Sequence, residues 1–126
     1  MPILGVGIDI VEAARVQRLL ARHGDRLLAR LFTPEERARA ASYTHPSLHL
    51  AARIAAKEAA YKALSGDGRA HGVSWLDLEV TRHADGRPGL RLRDQAQRRM
   101  AELGATRCHL SITHAAGVAA AVVILE

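Results

Sequence analysis

The candidates for chemistry in this sequence are few. Asp9 stands beside Gly5 and Gly7 in an apolar opening stretch, and Arg53, Lys57, Glu58 and Lys62 punctuate the alanine-rich run Arg53–Leu64. Two glycines next to a carboxylate leave a thin surface that a ligand or a neighbouring subunit could approach. The run reads as a helix without a cleanly polar face, so it is expected to be buried on most sides. Its charges then need partners, because an unpaired buried charge is very costly. Taken alone, Glu58 and Lys62 would form an i,i+4 pair worth a few tenths of a kcal/mol, and Asp9 would cap the helix that follows. Beyond the run, Ser65-Gly66-Asp67-Gly68 offers backbone amides to a phosphate. That loop is too short for a P-loop, and Gly5-x-Gly7 lacks the third glycine of a dinucleotide fingerprint.

The elements that must position these residues follow from periodicity. The central run has strong helix formers, with Ser47 after Pro46 as the expected N-cap and Ser65-Gly66 as the stop. Ala52, Ala55, Ala56, Ala59 and Ala63 then share one small face. Ile3–Val11 reads as a strand with Leu4, Val6, Ile8 and Ile10 on one face and the glycines and Asp9 on the other. Glu12–His23 is an amphipathic helix ended by Gly24, with Asp25–Phe32 a second short one. Arg15, Arg18 and Arg22 form a basic stripe that Arg26 continues. Thr33-Pro34-Glu35-Glu36 is a capping-box start, which leaves Glu35 and Glu36 to local folding rather than catalysis. Trp75–Arg82 alternates as a half-buried strand, with Leu76, Leu78 and Val80 opposite Asp77, Glu79 and Thr81. The turn His83–Pro88 leads to a return strand at Leu90 and Leu92. Asp94 is expected to cap a helix that packs through Ala96, Met100 and Leu103 and stops at Gly104. Thr106–His114 and Val118–Leu125 are strands joined by a turn at Ala115-Ala116-Gly117, the second apolar enough to be central and buried on both faces. Mixed order with hairpins gives an α+β fold: a mainly antiparallel sheet with a long central helix and flanking helices, in one domain over residues 1–126.

Composition narrows the function classes. Net charge is +5, and Lys57 and Lys62 are the only lysines, so nearly all positive charge is arginine. Such a surface suits a phosphate-rich or carboxylate-rich partner. A lone cysteine, Cys108, excludes an intrachain disulfide and a cysteine metal cluster. The apolar start, broken by Gly5, Gly7 and Asp9, is neither a signal peptide nor a membrane span, so a cytoplasmic protein with no membrane partner is expected. A small basic RNA- or DNA-binding domain would need stacking aromatics, yet aromatic content is only 3%. No nucleic-acid partner is therefore expected. A purely structural oligomerisation module would leave Asp9, Lys57 and Glu58 without a task.

Three stretches at these separations resemble one family. Gly5-Val6-Gly7-Ile8-Asp9-Ile10-Val11-Glu12, Arg53-Ile54-Ala55-Ala56-Lys57-Glu58-Ala59 and Leu110-Ser111-Ile112-Thr113-His114 with its apolar tail are similar to segments of the bacterial holo-[acyl-carrier-protein] synthases. The resemblance runs over essentially the whole chain. It implies transfer of the phosphopantetheine arm of coenzyme A to a serine of apo-acyl carrier protein, in fatty acid biosynthesis, with release of adenosine 3′,5′-bisphosphate. It further implies Mg²⁺ bound by Asp9 and Glu58 as the catalytic carboxylates, with Glu58 also accepting the serine proton. Lys57 and Lys62 would contact coenzyme A phosphates, and Arg53 and His114 its nucleotide end, beside the loop at Ser65 and Gly66. Arg15, Arg22, Arg18 and Arg26 would receive the acidic carrier protein. A homotrimer with active sites at subunit boundaries is implied as well.

Overall fold

The computed structural model describes residues 2–66, 70 and 72–126. In chain order the elements are β1 (Gly5–Glu12), α1 (Ala13–Leu31), α2 (Pro34–Ala41), α3 (Pro46–Ser65), β2 (Leu78–Arg82), β3 (Pro88–Leu92), α4 (Asp94–Glu102), β4 (Cys108–Ala115) and β5 (Val118–Leu125), with a 3₁₀ turn at Trp75–Asp77. An antiparallel sheet of order β1-β5-β4 lies against α3, and β2-β3 forms a separate antiparallel hairpin. The α+β reading with a long central helix holds.

The core is the seam between α3 and the inner face of the three-stranded sheet. Ala55, Ala56, Ala59 and Ala63 meet Ala119, Ala121, Val123 and Leu125, all nearly or fully buried. The glycines of β1 make the close approach possible. A Cβ built on Gly7 would lie 1.8 Å from the Ala59 carbonyl oxygen, and one on Gly5 would lie 2.2 Å from that of Ala63. The thin strand face and the alanine face therefore cover each other within one chain, rather than awaiting a ligand or a subunit. Away from this seam the core continues through Val16, Phe32, Leu50, Leu64, Leu78 and Val80.

The outer face of the sheet follows from this inversion. With the glycines turned inward, Val6, Ile8 and Ile10 point outward and are 56%, 62% and 65% exposed. Register places Ile8 beside Val122 and Val122 beside Ser111 on that same face. β5 is central as expected, but only its inner residues are buried. Its outer residues are half-buried in the single chain, which corrects the expectation of two buried faces.

Several boundaries differ from the sequence reading for local reasons. Pro46 starts α3 at N1, so the N-cap is His45 and Ser47 lies inside the first turn. At Gly24 the backbone leaves helical geometry (φ 56°, ψ −136°), so α1 is two helical segments meeting at a kink, as the sequence reading of a stop at Gly24 and a second short helix expects. α4, which follows the β2-β3 hairpin, is capped at Arg93, and Asp94 takes a positive φ of 45° inside it. Trp75–Asp77 is a 3₁₀ turn because Ser74 and Asp77 cap each other reciprocally. The expected alternation fails there: Asp77 and Glu79 are buried and Leu76 is exposed. Glu79 is tolerated inside because Arg93 Nη2 donates to it at 2.9 Å.

Candidate active site

Close packing of β1 on α3 sets Asp9 beside the C-terminal half of the helix. Lys62 Nζ donates to Asp9 Oδ1 at 3.1 Å and to the Ile8 carbonyl at 3.0 Å. Lys62 is half-exposed and Asp9 mostly covered, so the ammonium faces open space while gripping the strand. The i,i+4 pairing with Glu58 gives way to this cross-element bond.

Glu58, one turn before Lys62, is half-buried, and its carboxyl is held above the 4.5 of a free glutamate. Burial is the main cause and the Asp9 carboxylate the second; Lys62 and Arg15 oppose them. Asp9, Glu58, Lys62 and Arg15 thus act on one another electrostatically. Arg15 belongs to the exposed stripe of α1, so the stripe begins at the carboxylates. Beside Glu58 opens a cavity of about 290 Å³ walled by Tyr61, Val73, Ser74, Trp75 and Leu78. Its apolar lining suits an extended, weakly polar chain better than a second charged group.

Two carboxylates pressing on each other form a donor set that a hard divalent cation would relieve. Mg²⁺ usually takes one or two protein carboxylates and completes its octahedron with water and substrate phosphate. Asp9 and Glu58 fit that requirement. Among the described residues there is no richer cluster of metal-ligating side chains.

Lys57 is a correction. It was expected at a coenzyme A phosphate, but its side chain is fully enclosed. Nζ donates to Glu36 Oε1 at 2.7 Å and to the Trp75 carbonyl at 2.9 Å, and lies over the Phe32 ring. Burial pulls its pKa down, and the Glu36 carboxylate opposes that pull. Glu36 therefore does more than local capping. While exchanging capping bonds with Thr33 it also takes the Val80 amide, tying α2, α3 and β2 together. The bond to Trp75 fixes one wall of the cavity beside Glu58.

Ser65 and Gly66 are also reassigned. Ser65 Oγ donates back to the Tyr61 carbonyl at 2.8 Å, and Gly66 closes α3 with a positive φ of 59°. Arg99 covers the freed carbonyls of Leu64 and Ser65. A helix C-terminus presents partial negative charge, which repels a phosphate. Asp67 and Gly68 of the same loop lie outside the described residues.

Arg53 and His114 do come together. Both line a cavity of about 370 Å³ between α3, the β2-β3 hairpin and β4, with Tyr43, His49 and Arg82. The register puts His114 on the inner sheet face, opposite Ala119, the face that Asp9 also occupies. Arg53 is buried and drawn down to about 10 mainly by that burial, leaving it cationic at neutral pH. The exposed arginines of α1 bridge the Gly24 kink: Arg22 before it and Arg26 and Arg30 after it line one surface cleft with His23 and Leu27. Sequence reasoning missed Glu36, Tyr43, His49, Trp75 and Arg82. Only His49, one turn before Arg53, carried a signal that spacing alone could have raised.

The family model for the 4′-phosphopantetheinyl transferase superfamily matches residues 5–123. A holo-[acyl-carrier-protein] synthase of Anaeromyxobacter sp. (strain K) is 50% identical over 127 residues, covering 98% of this chain and 96% of the relative. This chain belongs to the holo-[acyl-carrier-protein] synthases. Among solved structures, the synthase of Neisseria meningitidis matches with a TM-score of 0.88 at 32% identity, covering 99% of both chains. The Helicobacter pylori synthase in complex with coenzyme A matches with a TM-score of 0.82 at 30% identity, over 96% of this chain and 99% of that one. The fold and the family expected from the sequence both hold.

Proposed function

We propose that this chain transfers the 4′-phosphopantetheine arm of coenzyme A to a serine of an apo-acyl carrier protein, with Mg²⁺ as cofactor, for fatty acid biosynthesis. The observation that carries the reading is the coupled group Asp9, Glu58 and Lys62 at the β1–α3 seam, in a chain of this family. Asp9 and Glu58 would hold the cation, which when bound neutralises pyrophosphate charge and polarises phosphorus. Glu58, with its raised proton affinity, is suited to accept the serine proton directly or through water. The serine oxygen bonds to the pantetheine-bearing phosphorus. The bond from that phosphorus to the bridging oxygen breaks, and adenosine 3′,5′-bisphosphate departs. Lys62, half-exposed beside Asp9, would neutralise charge growing on the leaving side. The apolar cavity beside Glu58 suits the pantetheine arm, and the Arg53–His114 cavity the nucleotide end.

The exposed arginines of α1 suit an acidic carrier helix. Arg15 and Arg22 lead the proposed docking face and Arg18 and Arg26 extend it; steering of this kind raises encounter rates more than affinity. The outward Val6, Ile8 and Ile10 with their β5 neighbours make an apolar sheet face that a homotrimer would cover. The protein is read as a single transferase domain acting in the cytoplasm, which a lone unpaired cysteine suits. Among the described residues no helix is long and apolar enough to cross a membrane.

The test replaces each carboxylate. Asp9→Ala and Glu58→Ala should each abolish release of adenosine 3′,5′-bisphosphate, measured by chromatography, while circular dichroism stays native. If both variants kept the activity, the carboxylate assignment would be wrong.

A further inference from the structure

A side-chain chain runs along the wall of the Arg53 cavity. Arg82 on β2 donates from Nη2 to Tyr43 Oη at 3.0 Å, and the Tyr43 ring stacks on His49 with centroids 4.1 Å apart. His49 Nδ1 in turn lies 3.3 Å from Arg53 Nη1. A guanidinium only donates, so Nδ1 must be the acceptor and the imidazole hydrogen sits on Nε2, a tautomer assigned from the network. His49 stays neutral because it is buried and because positive charges face it from three elements. These are Arg53 on α3, Arg82 on β2 and Arg39 on α2; burial first, and these charges after it, bring its pKa to about 4. His45 and His114 share the cavity wall, and among the described residues no carboxylate lines it. Arg53 Nε is buried without a partner, and among the described residues His49 is the one side chain that takes a hydrogen bond from Arg53.

A flexible guanidinium recognises a phosphate well only when its planar fork is held in one orientation. We propose that His49 is a positioning residue for the donor substrate: stacked on Tyr43 as a neutral acceptor, it aims the Arg53 guanidinium into the cavity at the phosphate monoester of the nucleotide end. It thereby sets the preference for a nucleotide that carries its 3′-phosphate. The inference rests on the reading that this cavity takes the nucleotide end of coenzyme A. Burial alone does not explain a histidine here, because a phenylalanine would stack on Tyr43 without leaving Nε2 buried and unpartnered.

The experiment is steady-state kinetics of the full chain with apo-acyl carrier protein, varying coenzyme A and dephospho-coenzyme A in parallel. His49→Phe keeps the stack and removes the acceptor. It should raise the KM for coenzyme A about fivefold, the equivalent of one hydrogen bond. The kcat and the carrier KM should change little, and the preference over dephospho-coenzyme A should shrink by a similar factor. His49→Asn, whose Oδ1 stands in for Nδ1, should restore most of that preference; His49→Ala serves as the acceptor-free variant if phenylalanine fails to pack. An unchanged preference in the acceptor-free variant, or equal losses for both nucleotides and the carrier, would overturn the inference. Arg53→Ala separates the two levels. If it leaves the coenzyme A KM unchanged, the nucleotide-cavity reading fails; if it weakens coenzyme A while His49→Phe does not, only the positioning role falls.

Discussion

Replacing Lys57 with methionine should damage stability far more than substrate binding. The ammonium is fully enclosed, 2.7 Å from Glu36 Oε1 and 2.9 Å from the Trp75 carbonyl, and Glu36 is 2% exposed. Lys57→Met keeps the volume and strands a buried carboxylate. Removing one partner of a buried ion pair typically costs about 3–5 kcal/mol. Glu36 retains the backbone amides of Thr33 and Val80 as donors, which places the loss at the lower end, about 3 kcal/mol. For a chain of this size that corresponds to about 12 °C in Tm, at roughly 4 °C per kcal/mol. The assay is thermal unfolding by circular dichroism at fixed protein concentration, alongside the KM for coenzyme A. Adding Glu36→Gln to Lys57→Met should recover part of the loss by removing the stranded charge. A normal Tm with a tenfold rise in coenzyme A KM would refute the reasoning and return Lys57 to the phosphates.

Further outcomes follow from other contacts. Gly7→Ala puts a methyl against the Ala59 backbone and should destabilise by at least about 3 kcal/mol in urea unfolding; an unchanged midpoint would mean that the strand can lift off the helix freely. Glu58 has a folded-state pKa above its unfolded value, so the folded chain holds that proton more tightly. Stability is therefore lost as pH rises from about 4.5 through the folded pKa, and Glu58→Gln should raise the neutral-pH Tm of metal-free protein while cutting transfer. Asp9→Asn, by removing a neighbouring negative charge, should lower the Glu58 pKa, read by NMR titration. Charge reversal at Arg15 and Arg22 should raise the carrier KM and its salt sensitivity with little effect on coenzyme A; equal losses for both substrates would argue against carrier docking. Ile8→Glu on the outer sheet face should dissociate any oligomer in sedimentation analysis, since the side chain is 62% exposed in the single chain.

Much of the fold was legible because it rests on period and punctuation. The alternation of β1, the Thr33 capping box, the Gly24 break and the apolar run of β5 each state their element locally. What stayed hidden depends on contacts distant in sequence. That the glycine face of β1 turns inward, and its isoleucines outward, is decided by how near the alanines of α3 can come. Lys57 reads as a free cation until Glu36, 21 residues away, is seen to hold it. Asp77 and Glu79 break a clean polar–apolar alternation because Ser74 and Arg93 satisfy them inside the fold. Of the site, Glu58 and Lys62 were legible as helix charges needing partners and Asp9 as a carboxylate beside the glycine face, and Arg53 and His114 do share a cavity. The Tyr43–His49–Arg82 wall was not, because Arg82 on β2 is 33 residues beyond His49 and only the fold brings it to Tyr43 in the α2–α3 connection.

Intact-mass spectrometry of apo-acyl carrier protein incubated with this protein and coenzyme A tests the central claim most directly. With Mg²⁺ present the carrier should become heavier by one phosphopantetheine arm, and replacing Mg²⁺ with EDTA should prevent the gain. A carrier of unchanged mass under every divalent cation, with an established synthase working in parallel, would contradict it.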